Sequence, residues 1–156
     1  MKSRPILLEE KEIHPLLDGT LTELVRKIEA PISTHTNSIS WNYMSRKYIP
    51  WEWESDQALN VRGRKTGEGF SCPYGDPGDS LWGKEWTYLK GSEFLYAADL
   101  PSEKKALLKK EGWKIQRSSH MKLDHARVNI TLDKIDPVQI DGTWFWRLFV
   151  SKIQVP

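Results

Sequence analysis

The sequence predicts one α+β domain in which strands outnumber two or three short helices. Helical spacing of apolar residues is confined to parts of Glu12–Ala30 and Pro101–Gly112. Alternation of period two marks Ser80–Leu89 and Arg127–Ile135. Asp141-Gly142, a dipeptide suited to a two-residue hairpin turn, joins the second of these to an aromatic run at Thr143–Val155. A chain of 156 residues suffices for one such domain around one core.

The elements follow in order. Arg4–Leu8 reads as a first short strand, its start marked by Pro5. In Glu12–Ala30, Ile13, Leu16, Leu17, Leu21, Leu24, Val25 and Ile28 keep helical spacing; Pro15 suits a first turn and Gly19 interrupts the pattern. That predicts a helix through Asp18, a break at Gly19, and a further turn or strand to Ile28, closed by Pro31. Ser33–Gly69 is polar and aromatic without clean periodicity, a length uncommon in a compact domain unless functional or wrapped over the surface. Within it, Ile39–Met44 can pair with Tyr48–Trp53, and Arg62–Gly69 reads as an exposed, mobile turn. Cys72–Asp79 is dense in turn formers. Ser80–Leu89 then sets Leu81, Gly83, Glu85, Thr87 and Leu89 against Trp82, Lys84, Trp86 and Tyr88, one strand with an aromatic face. Phe94–Ala98 is its expected partner. Pro101–Gly112 reads as a helix capped by Ser102 and ended by Gly112. No segment repeats.

Composition narrows the function classes. A net charge of +2 excludes a grip on long nucleic acid by bulk electrostatics, so any such contact is a local cleft or patch. Cys72 is the single cysteine, which excludes an intrachain disulfide and a cysteine-based metal cage and points to a reducing, cytoplasmic setting. No run approaches the roughly 20 apolar residues of a membrane span, and Glu9-Glu10-Lys11-Glu12 cuts the leading apolar stretch too short for a signal peptide. No cofactor and no membrane partner are expected. The eight tryptophans either fill a small barrel and its rim or, at one or two positions, offer a stacking surface for a base.

Three segments occurring in order carry a resemblance: Arg4-Pro5-Ile6-Leu7; Cys72–Trp82 followed by Glu85-Trp86; and Trp113 with Ser119-His120-Met121 leading to Ala126–Leu132. Together they resemble the ASCH/PUA-like proteins carried by tailed bacteriophages and prophages. The resemblance implies a five- or six-stranded mixed β-barrel with short helices at its mouth, and the cytoplasm of a bacterial host as setting. ASCH proteins in general resemble RNA-binding PUA domains, and some members are amidohydrolases acting on acylated cytidine. Their signature after the first helix is Gly-x-Lys-Thr, then Glu or Thr two residues on, then a basic residue. Gly19–Arg26 is the matching stretch. Gly19, Thr22 and Arg26 fit, but Leu21 stands in place of the lysine and Leu24 in place of the Thr or Glu. Leucine transfers no proton, which argues against the lysine-dependent hydrolysis. Gly63-Arg64-Lys65-Thr66 spells the motif, yet it follows no helix and reads as a solvated loop.

The cleft expected on this likeness is formed by Gly19–Lys27, Trp82–Trp86 and His120–Arg127. Its candidate ligand-binding residues are Thr22, Arg26, Lys27, Trp82, Lys84, Glu85, Trp86, His120 and Arg127. Arg26 and Arg127 would contact phosphate or a base edge and Trp82 would stack. Glu85, if interior, needs an arginine such as Arg26, and if it faces the cleft it could accept from a base amino group; Arg127 could bind phosphate or pair with Asp79 or Glu85. His120 and His125 have no acidic or cysteine partner at metal-ligand spacing, and Cys72 reads as a buried thiol. The expected function is binding of RNA or a modified nucleoside. Alternatives are an amidohydrolase with a rearranged site and a factor that binds a host or virion protein, the latter motivated by aromatic Trp41–Trp53.

Overall fold

The computed structural model describes residues 2–55 and 61–153. Its centre is a five-stranded mixed sheet. β1 (Ser3–Leu7) runs parallel to β6 (Ser80–Lys84), which pairs antiparallel with β10 (Asn129–Ile140); β10 pairs with β11 (Thr143–Lys152), and β11 with β2 (Glu23–Lys27). The β10–β11 hairpin turns at Asp141-Gly142, both at positive φ (49° and 80°), as the dipeptide predicts. The strand end expected at Val155 lies outside the described residues.

Period-two burial builds the core. Trp144, Trp146, Leu148 and Val150 of β11 point inward with Leu81, Ile130 and Leu132. The helix α1 (Glu10–Asp18) adds Ile13 and Leu16, and Leu24 of β2 is fully buried. Gly19 ends α1 in the left-handed conformation, φ 80°, and the chain resumes as β2, as the break in periodicity suggests. The helix begins at Glu10, so Pro15 sits in its interior rather than its first turn.

The sheet is not the closed barrel expected from the family likeness. Among the described residues β1 and β2 are its two free edges, in the order β1-β6-β10-β11-β2. A side chain spans the gap where a ladder would be: Arg26 on β2 donates through Nη2 to the Leu7 carbonyl at the end of β1, 3.0 Å, and to Glu12 of α1. The helix between the two strands supplies that carboxylate, and its presence takes the place of backbone pairing.

Two three-stranded antiparallel sheets flank this centre. The first has the order β3 (Ser38–Asn42), β4 (Lys47–Ser55), β5 (Val61–Lys65), so the expected hairpin is present. Val61–Lys65 is an exposed edge strand against β4 rather than a turn, because Glu52 and Trp53 of β4 pair with Arg64 and Gly63. Residues 56–60 of the Ser33–Gly69 stretch lie outside the described residues. The second sheet has the order β8 (Glu93–Tyr96), β7 (Thr87–Lys90), β9 (Lys114–Gln116). The single strand expected over Ser80–Leu89 is therefore two. At Glu85–Trp86 the chain leaves the central sheet, and beyond it Thr87 and Tyr88 are both buried, breaking the alternation. Tyr88 joins a small second core with Ala97 and Leu108, the latter on α2 (Ser102–Lys110). Pro101, not Ser102, occupies the cap of α2, and no side chain bonds there. Among the described residues no helix is long and apolar enough to cross a membrane.

The turn-rich Cys72–Asp79 segment has a specific seat. Gly78, at φ 97°, donates its N–H to the Leu132 carbonyl, and Leu132 donates back to the Asp79 carbonyl. The seat lies at the bulge between Leu132 and Lys134 in β10, so the Gly-Asp pair docks the incoming chain on an irregular strand. The Asp79 carboxylate accepts the N–H groups of Lys2 and Asp76 at 3.1 and 3.0 Å. Those bonds hold its carboxyl below the usual range.

Candidate functional site

Of the residues expected to bind a ligand, the two arginines are already engaged. Arg127 meets Glu85 with two bonds, Nε to Oε2 at 3.0 Å and Nη2 to Oε1 at 2.9 Å, and gives Nη1 to Asp99 at 2.9 Å. Its guanidinium lies 3.9 Å from the ring centroid of Tyr96, whose hydroxyl donates to the His125 carbonyl. Glu85 is only 2% exposed, so a carboxylate there demands a fixed cation. Arg127 supplies it, rather than Arg26. The Glu85 N–H also points at the Met121 sulfur, 3.2 Å away. The cavity beside Glu85 and Trp86 has room for little more than 10 Å³, below the size of a nucleoside pocket.

Arg26 serves the open edge between β1 and β2. It binds both oxygens of Glu12, at 2.7 and 3.0 Å, while Glu12 Oε1 also accepts the Glu9 N–H that begins α1. One buried carboxylate thus caps the helix and anchors the arginine. Thr22 and Lys27 are exposed near the same edge. Along the ladder two strands, β11 and β10, lie between β2 and β6, but across the open edge Arg26 bonds Leu7, the register partner of Lys84, so only β1 lies between Arg26 and β6. Lys84 lies 5.3 Å from the ring of Trp82 and donates to the Ser119 carbonyl at 3.1 Å. His120 is exposed in a short 3-10 turn at Ser118–His120, and Trp86 is 39% exposed.

A wider concavity lies elsewhere. A groove of about 520 Å³ opens between the β3–β4 hairpin, the Asp76-Pro77 loop and the Lys134–Pro137 part of β10. That is the size range of small-molecule sites. Trp41, Tyr43 and Tyr48 provide its aromatic walls. The Tyr48 ring is wedged against Trp41 and, edge-on, Trp146, each at 4.9 Å between centroids, which fixes the hairpin to the central core. Burial pushes the Tyr48 phenol far above its ordinary value, so it stays neutral. Tyr43, by contrast, is 86% exposed at the hairpin tip. Arg46 and Lys134 bring positive charge to the groove, Asp76 and Asp136 negative. Lys134 sits 3.9 Å from Asp136, whereas Arg46 has no carboxylate within ion-pair distance among the described residues.

A smaller cavity of about 340 Å³ adjoins it, lined by Lys2, Arg4 and Ser71 and sharing Trp41, Arg46 and Asp76 with the groove. Cys72 borders it, and burial pushes its thiol up to about 11, which makes it a poor nucleophile at neutral pH. Among the described residues no cluster of three or more His, Cys, Asp or Glu is arranged to hold a metal ion.

Compared with family models, with curated proteins and with solved structures, the chain gives no match. The groove was only half visible in the sequence. Trp41–Trp53 stands out there as an aromatic stretch, but Asp76, Lys134 and Asp136 come from distant segments with no shared spacing. The available signal was the cluster of Trp41, Tyr43 and Arg46 within one short hairpin.

Proposed function

We propose that this chain is an ASCH/PUA-like binding module that holds RNA or a nucleoside, with the Trp41–Tyr43–Arg46 groove as its site. The observation that carries the reading is an aromatic-walled groove of about 520 Å³ with an arginine that has no carboxylate within ion-pair distance among the described residues. Aromatic faces stack on any base, and the carboxylates of Asp76 and Asp136 are suited to accept from an exocyclic amino group, as on cytosine. A net charge of only +2 agrees with a local contact of this kind. Leu21 and Leu24 support binding without lysine-dependent hydrolysis: Leu21, in the lysine's place, is half-buried against the core, and Leu24, in the place of the Thr or Glu, is in the core, so neither supplies a proton-transferring group.

Titration of the protein with a panel of nucleosides and short single-stranded RNAs tests the reading. Trp41→Ala and Tyr43→Ala are expected to weaken binding about tenfold each, in line with base–aromatic stacking energies. Trp82→Ala, in the cleft that the family likeness implies, is expected to bind as the parent does. Absence of binding to every member of the panel, or loss in Trp82→Ala with Trp41→Ala unaffected, overturns it.

A further inference from the structure

We infer that Lys2, Arg4 and Arg46 form a phosphate subsite, so that the preferred ligand of the adjoining groove carries a phosphate rather than being a free nucleoside. The inference rests on the nucleoside-binding reading of the groove and extends it to the charged end of the ligand.

Three observations converge. The first is placement. The cavity that Lys2 and Arg4 line adjoins the aromatic groove, the two sharing Trp41, Arg46 and Asp76 as lining. A base stacked in one part would have its phosphate within reach of the other.

The second is charge. Arg26, Arg64, Arg127 and Arg147 each have a carboxylate partner, respectively Glu12, Glu52, Glu85 with Asp99, and Glu23. Lys2, Arg4 and Arg46 have none within ion-pair distance among the described residues. Asp79, an acid close at hand, has its oxygens directed to the backbone N–H groups of Lys2 and Asp76. Asp76 in the cavity wall and Asp79 behind Gly75 offset only part of the charge of the three cations. Arg4 is also the more costly of the arginines: its Nε is buried with no hydrogen-bond acceptor among the described residues. Gly75 covers it, since a Cβ there would stand 3.2 Å from Nε and 2.7 Å from an Asp79 oxygen. A partly desolvated guanidinium without an acceptor favours any anion that can reach it. The planar donor fork of arginine matches phosphate in particular.

The third is strain. Arg46 sits at φ 56°, a left-handed conformation that a side chain with a Cβ adopts at a cost. The turn is held by Asn42, which accepts the Met44 and Ser45 N–H groups on its side chain and the Arg46 N–H on its carbonyl. Glycine would fit that backbone better. An arginine held there, beside two other unneutralised cations, points to a role for its charge.

The test compares three ligands: cytidine, cytidine 5′-monophosphate and inorganic phosphate, each titrated calorimetrically at low and high salt. The monophosphate is expected to bind about tenfold or more tighter than cytidine, the increment of one or two charged hydrogen bonds, and to lose that advantage at high salt. In Lys2→Gln/Arg4→Gln the ratio of the two affinities is expected to fall to about one. Arg46→Gly is expected to lower the ratio in the same way while its melting temperature holds or rises, which separates loss of charge from loss of fold. Equal affinities for nucleoside and monophosphate in the parent protein overturn the subsite, as does a ratio unchanged in both variants. Weak binding of inorganic phosphate that Arg46→Gly abolishes, with no binding of cytidine or its monophosphate, retains the subsite and overturns the nucleoside reading instead.

Discussion

Arg127 and Glu85, 42 residues apart, face each other through two parallel hydrogen bonds at 3.0 and 2.9 Å. Glu85 lies where the chain leaves the central sheet for the smaller one, and Arg127 lies two residues before β10 begins. The pair therefore ties the junction of two sheets to the loop that precedes the longest strand. Removing the arginine alone leaves a buried carboxylate without a counter-charge. Arg127→Met is expected to cost about 3–5 kcal/mol, and Glu85→Met/Arg127→Met markedly less than the sum of the single changes. A double-mutant cycle by urea unfolding checks this; additive costs would show that the pair is not coupled.

Glu12 joins helix to sheet in the same manner. Arg26→Ala keeps the Glu9 N–H bond that starts α1 but strips Glu12 of its cation and Leu7 of its donor. The expected cost is about 3 kcal/mol, since Glu12 and Arg26 are largely but not wholly buried. Glu12→Ala, which removes the cap as well, is expected to cost about 1 kcal/mol more. Thermal melts of the two variants decide the order.

Gly83 is required by packing rather than by its own backbone. A Cβ at this position would overlap the Leu8 Cδ1 and stand 2.9 Å from the Val128 Cβ, both on buried residues. Gly83→Ala is expected to destabilise the protein by about 1–3 kcal/mol with an unchanged denaturant slope. A variant as stable as the parent would mean that the β1–β6 contact can spread.

Asp79 makes stability depend on acid. Its folded carboxyl titrates below its unfolded value of about 3.9, because two backbone N–H groups bond its charged form. That contribution is present above about pH 4 and lost as pH falls through the folded value. In Asp79→Asn the decline of stability below about pH 4 is expected to be shallower than in the parent, as followed by chemical denaturation at stepped pH.

Cys72 makes stability depend on base. Burial raises its thiol to about 11 in the folded chain, against about 8.5 unfolded. The unfolded chain releases the proton first, so this contribution is whole below about pH 8.5 and fades as pH rises toward 11. A thiol reagent at pH 8 is expected to label Cys72 slowly in the folded protein and fast in urea. Cys72→Ala is expected to flatten the alkaline limb.

What the sequence by itself determined is local. Apolar spacing with Gly19 behind it defines α1, Asp141-Gly142 defines the β10–β11 hairpin, and alternation marks β6 and the first part of β10; each signal lies within a few residues of what it specifies. Glu85 as a residue that needs an arginine was also legible, because a carboxylate amid core-facing positions has few stable alternatives. Which arginine it takes was not. Tertiary structure alone decided that Arg127 rather than Arg26 pairs with it, that the chain changes sheets at Glu85–Trp86, and that the edges β1 and β2 meet through Arg26 and Glu12 instead of a ladder. It also decided the groove and the cavity beside it, whose wall joins Arg46 of one hairpin, Arg4 of the first strand and Asp76 of a loop. Contacts between residues tens of positions apart depend on how sheets pack, and packing depends on the whole set of buried surfaces, not on any one stretch of chain.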